Sequence, residues 1–316
     1  MAPHHFFMKR ESRGSPSKIP FRVQPMLATL VRQPFDQPGW VYEEKYDGYR
    51  ILAYKEGGRV TLVSRNQHDR TETYPQVADA VAKLAANTLL LDGEVVALDK
   101  KSVSRFEILQ GNTGQGIYAV FDCLYVDGRD LRRQALSERR RELEAVVRAN
   151  RFLFVARRLA DNGLKAFERA KRKGYEGLVA KDASSPYVEA RSRFWLKVKV
   201  HQEDEFIIVG YTPPEGARKY IGALLLGGYH TGKLQYVGKV GTGFSQAKLK
   251  SLYQVFKKLK RDTPAVVNPP RERGVTYLEP KLVAQIAYQE WTNDLKLRQP
   301  VFLGLRDDKA AEEVTF

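Results

Sequence analysis

With a single cysteine, Cys123, the chain can form no internal disulfide and no multi-cysteine zinc site, and a reducing cytoplasm is its natural compartment. Histidine is also scarce, five in all. The adjacent His4-His5 pair has no companion ligands nearby and reads as solvent-exposed. Long hydrophobic runs are missing. Met1 to Phe7 is followed by Lys9, Arg10, Glu11 and Arg13, so neither a signal peptide nor a membrane span is expected. Acidic residues are the minority: 37 Asp and Glu stand against 53 Lys and Arg, for a net charge of +16. That excess points to a polyanionic partner, and nucleic acid fits best. No sustained basic amphipathic helix supports a membrane surface instead.

What is present describes a soluble globular chain, 43% hydrophobic and 28% charged, whose 316 residues suffice for two modest cores. Residues 1–20 are basic and broken by Gly14, Pro16 and Pro20, and are expected to form a flexible arm. The stretch 21–201 mixes antiparallel hairpin signals with helices. Strands are expected at Val41 to Lys45, Tyr49 to Lys55 and Arg59 to Ser64, the last two joined by a Gly57-Gly58 turn. Asp92-Gly93 reads as a turn between Thr88 to Leu91 and Glu94 to Leu98. A helix opens at Pro75, another at Ser137 as N-cap with Arg139, Arg140 and Arg141 mostly outward, and a third ends at Gly174. This mixture is α+β. From 202 to 316 short strands surround one helix, about Ser245 to Lys260, which suits a small β-barrel such as an OB-fold.

One stretch organises the rest: Glu43-Glu44-Lys45-Tyr46-Asp47-Gly48-Tyr49-Arg50, a Lys-x-Asp-Gly-x-Arg pattern. Lysine is a poor nucleophile at neutral pH unless nearby cations or burial lower its pKa. Cations are plentiful in this chain, and Lys197 and Lys199, two apart in a strand, project from one face and can supply positive charge to a phosphoryl group. Taken singly, each pattern also fits a surface charge, a plain turn or a core aromatic.

In order along the chain, the lysine pattern is joined by Ser64-Arg65-Asn66, Leu91-Asp92-Gly93-Glu94, Ala119-Val120-Phe121-Asp122, Glu176-Gly177-Leu178-Val179-Ala180-Lys181 and Trp195-Leu196-Lys197-Val198-Lys199. This series resembles that of the covalent nucleotidyltransferases, in particular the ligase domain of bacterial end-joining (LigD-type) ATP-dependent DNA ligases. Leu278 to Ala284 and Pro300 to Lys309 extend the resemblance, which runs from about Gln24 to Lys309.

The resemblance implies an adenylation domain at 21–201, an OB-fold domain at 202–316 and a hinge near Lys199 to Asp204. Lys45 would attack the α-phosphate of ATP to give lysyl-AMP, pass AMP to a DNA 5′-phosphate, and let a 3′-hydroxyl displace it. Glu43 would receive the adenine amino group, with Phe121 stacking on the base. Arg50, Arg65, Arg191, Lys197 and Lys199 would hold the nucleotide. Glu94 would approach ribose or metal, and Glu176 would help bind Mg²⁺, for which Mn²⁺ can stand in. Arg306, Asp307 and Lys309 match a C-terminal motif that closes over the site during lysine adenylylation. The implied partners are nicked or broken duplex DNA and a Ku-like end-binding protein, with the enzyme acting as a monomer at the bacterial nucleoid.

No polymerase, nuclease, DNA-encircling or zinc module accompanies these motifs, so a minimal stand-alone ligase using ATP rather than NAD is expected. The rivals are an RNA ligase or capping-type guanylyltransferase, which would share the lysine chemistry, and an inactive nucleic-acid-binding protein using a basic barrel surface.

Overall fold

The computed structural model describes residues 18–111, 116–200, 202–216 and 218–316. The His4-His5 pair and most of the expected arm lie outside the described residues.

Two sheets build the first part of the chain. One has six strands, ordered Arg59–Ser64, Tyr49–Glu56, Thr88–Val96, Ile117–Val126 and Arg129–Asp130, with Leu153–Val155 parallel to Ile117–Val126. The other has five: Leu27–Leu30, Arg191–Lys199, Gly177–Asp182, Trp40–Lys45 and Arg158–Ala160. Alternation along the inner strands feeds two cores at once. Ile51, Ala53, Leu89, Leu91, Tyr118 and Val120 pack with the helix Pro75–Ala82 on the outer face, while Leu52, Leu90, Ala119 and Phe121 face the second sheet and meet Trp195 and Tyr187. Behind the second sheet, the helix Gly163–Lys173 packs Ala166 and Ala170 on Tyr42, Leu178 and Val198. It ends at Gly174 in the left-handed conformation, as the glycine there predicts.

Three local expectations are corrected. Asp92-Gly93 is no turn: Thr88–Val96 is one strand with irregular register at this point. Buried Asp92 is satisfied by Arg50, whose Nε and Nη2 donate to it at 2.5 and 2.6 Å, and by the Tyr187 hydroxyl at 2.7 Å. The helix expected to begin at Ser137 spans Leu136–Val146 and starts after Ala135, so Ser137 is not its N-cap. Its arginines are not all outward. Arg139 and Arg140 are buried and only Arg141 is exposed. Arg139 reaches both oxygens of Asp122 at 2.8 Å and the carbonyls of Gln134 and Ser185 at 2.7 and 2.9 Å, which compensates the guanidinium's burial.

Of the two remaining sheets, Glu290–Trp291 and Leu297–Arg298 form a two-stranded one, and the larger runs Lys233–Val240, Leu224–His230, Glu203–Tyr211, Thr276–Ala287 and Lys260–Arg261, with Val301–Leu305 also on Thr276–Ala287. The helix Gln246–Phe256 is capped by the Ser245 side chain and buries Leu249, Leu252 and Phe256 against this sheet. A bridge between Thr242 and Val301 ties the far edge back to the last strand, curling the sheet toward the OB-type barrel.

Candidate active site

The inward face of the five-stranded sheet is a grid set by register. Gly177 stands opposite both Lys45 and Lys199, Val179 opposite Glu43 and Lys197, and Lys181 opposite Val41 and Trp195. Because side chains alternate, Lys45 with Glu43, Val179 with Lys181, and Trp195 with Lys197 and Lys199 all point into one cavity between the sheets. Gly177 is required by this packing, since a Cβ there would lie 2.1 Å from the Val198 carbonyl oxygen. Gly48 is equally constrained by the Val95 carbonyl, also at 2.1 Å.

Lys45 closes its strand and forms an ion pair with Glu176. Asp47 fixes the turn that follows: its amide donates to Ser104 Oγ at 3.0 Å and its Oδ2 accepts from the Phe106 amide at 3.1 Å. The Lys197 backbone carbonyl accepts from the Val31 amide at 3.0 Å, while its side-chain amine makes no hydrogen bond or ion pair among the described residues. Burial, with Lys45 and Lys199 nearby, pushes its pKa down to about 7. Desolvation acts on partly buried Lys199 too, yet its ion pair with Asp204 at 2.7 Å and the charges of Glu176 and Glu205 raise its pKa. Burial lifts Glu94 to about 7 against the pull of Arg50, Lys45 and Arg306.

The cavity floor is aromatic and charged. Phe121 and Trp195 meet edge to face at 5.9 Å, with Lys181 Nζ 4.3 and 4.2 Å from their ring centres. Lys181 pairs with Glu43 at 2.7 Å, and Arg140 holds the other Glu43 oxygen. Arg50, locked on Asp92, lies 4.5 Å from the Phe121 ring centre. Arg65 pairs with Glu313, and Arg191 donates to the Ala28 carbonyl at 2.8 Å; both line the cavity.

The barrel supplies the roof. Glu203, Asp204, Glu205, Gln285, Arg306, Asp308 and Lys309 line the same cavity. Arg306 is bidentate to Asp308 at 2.8 Å, donates through Nη1 to Gln285 Oε1 at 3.0 Å and lies 4.5 Å from the Phe106 ring centre. Lys309 faces Glu205 at 3.5 Å. Asp307 sits apart: it accepts from the Tyr49 hydroxyl at 2.7 Å outside the cavity. Asp308 occupies the inward place instead.

Every other residue to which the sequence assigned a role in nucleotide binding, metal binding or closure lines this one cavity. Asp47, Lys181, Trp195 and Asp308 stand within the quoted segments but were assigned no role there, and Glu203, Glu205 and Gln285 lie outside the motif segments. Period-two spacing from Lys197 and Lys199 back to Trp195 was the available signal for one of them; the barrel residues carried none.

The profile of the ATP dependent DNA ligase domain matches residues 25–199, and that of the ATP dependent DNA ligase C terminal region matches residues 217–309. The chain is 41% identical over 320 residues to the multifunctional non-homologous end joining protein LigD of Pseudomonas aeruginosa, covering 97% of this chain and 38% of that protein. With LigD of Mycolicibacterium smegmatis the identity is 39% over 300 residues, covering 92% and 39%. The chain thus spans less than two-fifths of the length of these relatives. A solved mycobacterial DNA ligase D complexed with ATP and MES superposes with TM-score 0.71 at 36% identity, over 93% of this chain and 98% of that one. The ligase domain of M. tuberculosis LigD superposes with TM-score 0.54 at the same identity and coverage. From the profile matches and the cavity they enclose, the chain belongs to the ATP-dependent DNA ligase family.

Proposed function

We propose that this chain joins a 5′-phosphate to a 3′-hydroxyl in duplex DNA through AMP carried on Lys45. The observation that carries the reading is Lys45 at the cavity wall, ion-paired to Glu176, with Lys197 and Lys199 on the same face. The Lys45 amine forms a bond to the α-phosphorus of ATP as the bond to pyrophosphate breaks, and Glu176 takes up the departing proton. Negative charge on the transferring phosphoryl group is met by Lys197, Lys199 and Arg306. The P–N bond then breaks as the DNA 5′-phosphate oxygen takes AMP, and Lys45 regains its proton. The 3′-hydroxyl finally attacks the 5′-phosphorus and expels AMP.

A divalent metal fits the donor set. Mg²⁺ uses few protein carboxylates and keeps water and phosphate oxygens. Glu94 and Glu176 supply carboxylates here, and the described residues include no group of three or more acidic, His or Cys ligands. Such an ion would neutralise phosphate charge.

We place the adenylation unit at 21–201, the barrel unit at 202–316 and their hinge at Lys199 to Asp204, with the barrel turning away to admit DNA. Nicked or broken duplex DNA would bind basic faces of both, with affinity falling as salt rises. Recruitment by a Ku-like protein and monomeric action at the nucleoid belong to the same reading. Among the described residues, no helix is long and apolar enough to cross a membrane.

The test incubates the protein and Lys45→Ala with Mg²⁺ and α-phosphate-labelled ATP, then chases the unquenched protein with nicked DNA. Label on the unsubstituted protein alone, discharged as the nick seals, is the expected result. No label with either ATP or GTP would leave a nucleic-acid-binding role in its place.

A further inference from the structure

Arg140 lies outside every motif segment and does not line the cavity, yet it is tied to the cavity's floor. Its Nη1 pairs with Glu43 Oε1, its Nη2 donates to the Ala156 carbonyl at 2.6 Å and its Nε to Glu144 at 3.1 Å. Glu43 is held from the other side by Lys181 at 2.7 Å. Two cations thus fix one buried carboxylate in place. An ionised carboxylate only accepts hydrogen bonds, and with about four lone-pair sites it keeps acceptor capacity beyond these two partners. Beside it stand the aromatic rings of Phe121 and Trp195, the surfaces in this cavity fit for a purine face.

We infer that Arg140 is a specificity-determining positioning residue for the nucleotide base, holding Glu43 so that it accepts from the exocyclic 6-amino group of adenine and repels the 6-oxo group of guanine. This rests on the reading above, in which Lys45 is adenylylated from ATP. Arg140 touches no nucleotide itself. Losing it frees the Glu43 carboxylate to follow Lys181 alone, so base discrimination falls while the phosphate-facing row of Lys45, Lys197 and Lys199 is untouched.

The experiment compares covalent labelling from α-phosphate-labelled ATP, GTP and purine riboside triphosphate, which lacks the 6-amino group, in the unsubstituted protein, Arg140→Met and Arg140→Lys. The unsubstituted protein should favour ATP over purine riboside triphosphate by about tenfold or more, the scale of one charge-assisted hydrogen bond. Arg140→Met should compress that ratio to within about threefold by raising the concentration of ATP needed, with the maximal labelling rate changed little. Arg140→Lys, which keeps the charge but not the fork, should restore part of the ratio.

Equal slowing of both nucleotides in Arg140→Met would make the residue merely structural and overturn the inference. So would an unsubstituted protein that labels equally from both. If Arg140→Met does not fold, the same ratio in Arg140→Lys decides. Absence of label from all three nucleotides would sink the ligase reading itself, an outcome distinct from lost discrimination.

Discussion

Lys45 and Lys199 lie opposite the same residue, Gly177, on the two strands that flank it. A hydrogen atom is all that separates the backbone of this strand from its neighbour's Val198 carbonyl, and the ammonium groups share the open face above it.

Gly177→Ala should therefore force the strands apart, at a cost of about 1–3 kcal/mol or more for overpacking. The expected result is a lower thermal midpoint together with loss of lysine labelling. An unchanged midpoint in a scanning unfolding experiment would contradict the packing described.

Burial, with Lys45 and Lys199 beside it, brings the folded pKa of Lys197 down to about 7, below the usual lysine value. Above that pH it is largely uncharged, and a phosphate beside it draws the proton back. ATP binding at pH 8 should take up as much as about one proton, measured by calorimetry in buffers of different ionisation enthalpy. Lys197→Met should abolish the uptake.

Glu94 is displaced the opposite way, raised to about 7 by burial. The folded chain thus keeps a proton that the unfolded chain releases between about pH 4.5 and 7. The stability contributed is full below that window and lost as pH rises through it. Glu94→Gln should flatten this dependence, by at most about 3 kcal/mol, when urea unfolding is compared at pH 5 and 7.5.

Asp122→Ala should destabilise the chain by about 3–5 kcal/mol, because it strands the buried Arg139 guanidinium without its carboxylate. The double substitution Asp122→Leu with Arg139→Met should recover much of that loss in the same denaturant titration.

Arg306→Ala should slow lysine adenylylation at least tenfold while sparing the sealing of DNA that already carries AMP on its 5′-phosphate. The reason is placement: Arg306 reaches the cavity from the barrel through Asp308 and Gln285. Equal losses in both steps would argue against a role confined to closure.

Much of the cavity was legible because its residues alternate along strands. Glu43 with Lys45, and Lys197 with Lys199, share faces by period two, and that holds wherever the strands go. Asp92 was read as half of a turn because Asp-Gly most often is one; a distant arginine and tyrosine outweighed that local preference by pairing its carboxylate. The run Arg139-Arg140-Arg141 looked like a solvated helix face, yet two of the three are buried against Asp122 and Glu43. Hydrophobic periodicity says nothing about a charge whose partner arrives from another strand.

The sequence by itself determined most of the strands, the shared faces of Glu43 with Lys45 and of Lys197 with Lys199, the family and the basic character, since these depend on local spacing and composition. Only the tertiary structure decided which charges could be buried, which of Asp307 and Asp308 faces inward, and that barrel residues roof the cavity. Those outcomes turn on desolvation being matched by partners remote in the chain, and such matching exists only once the sheets have packed.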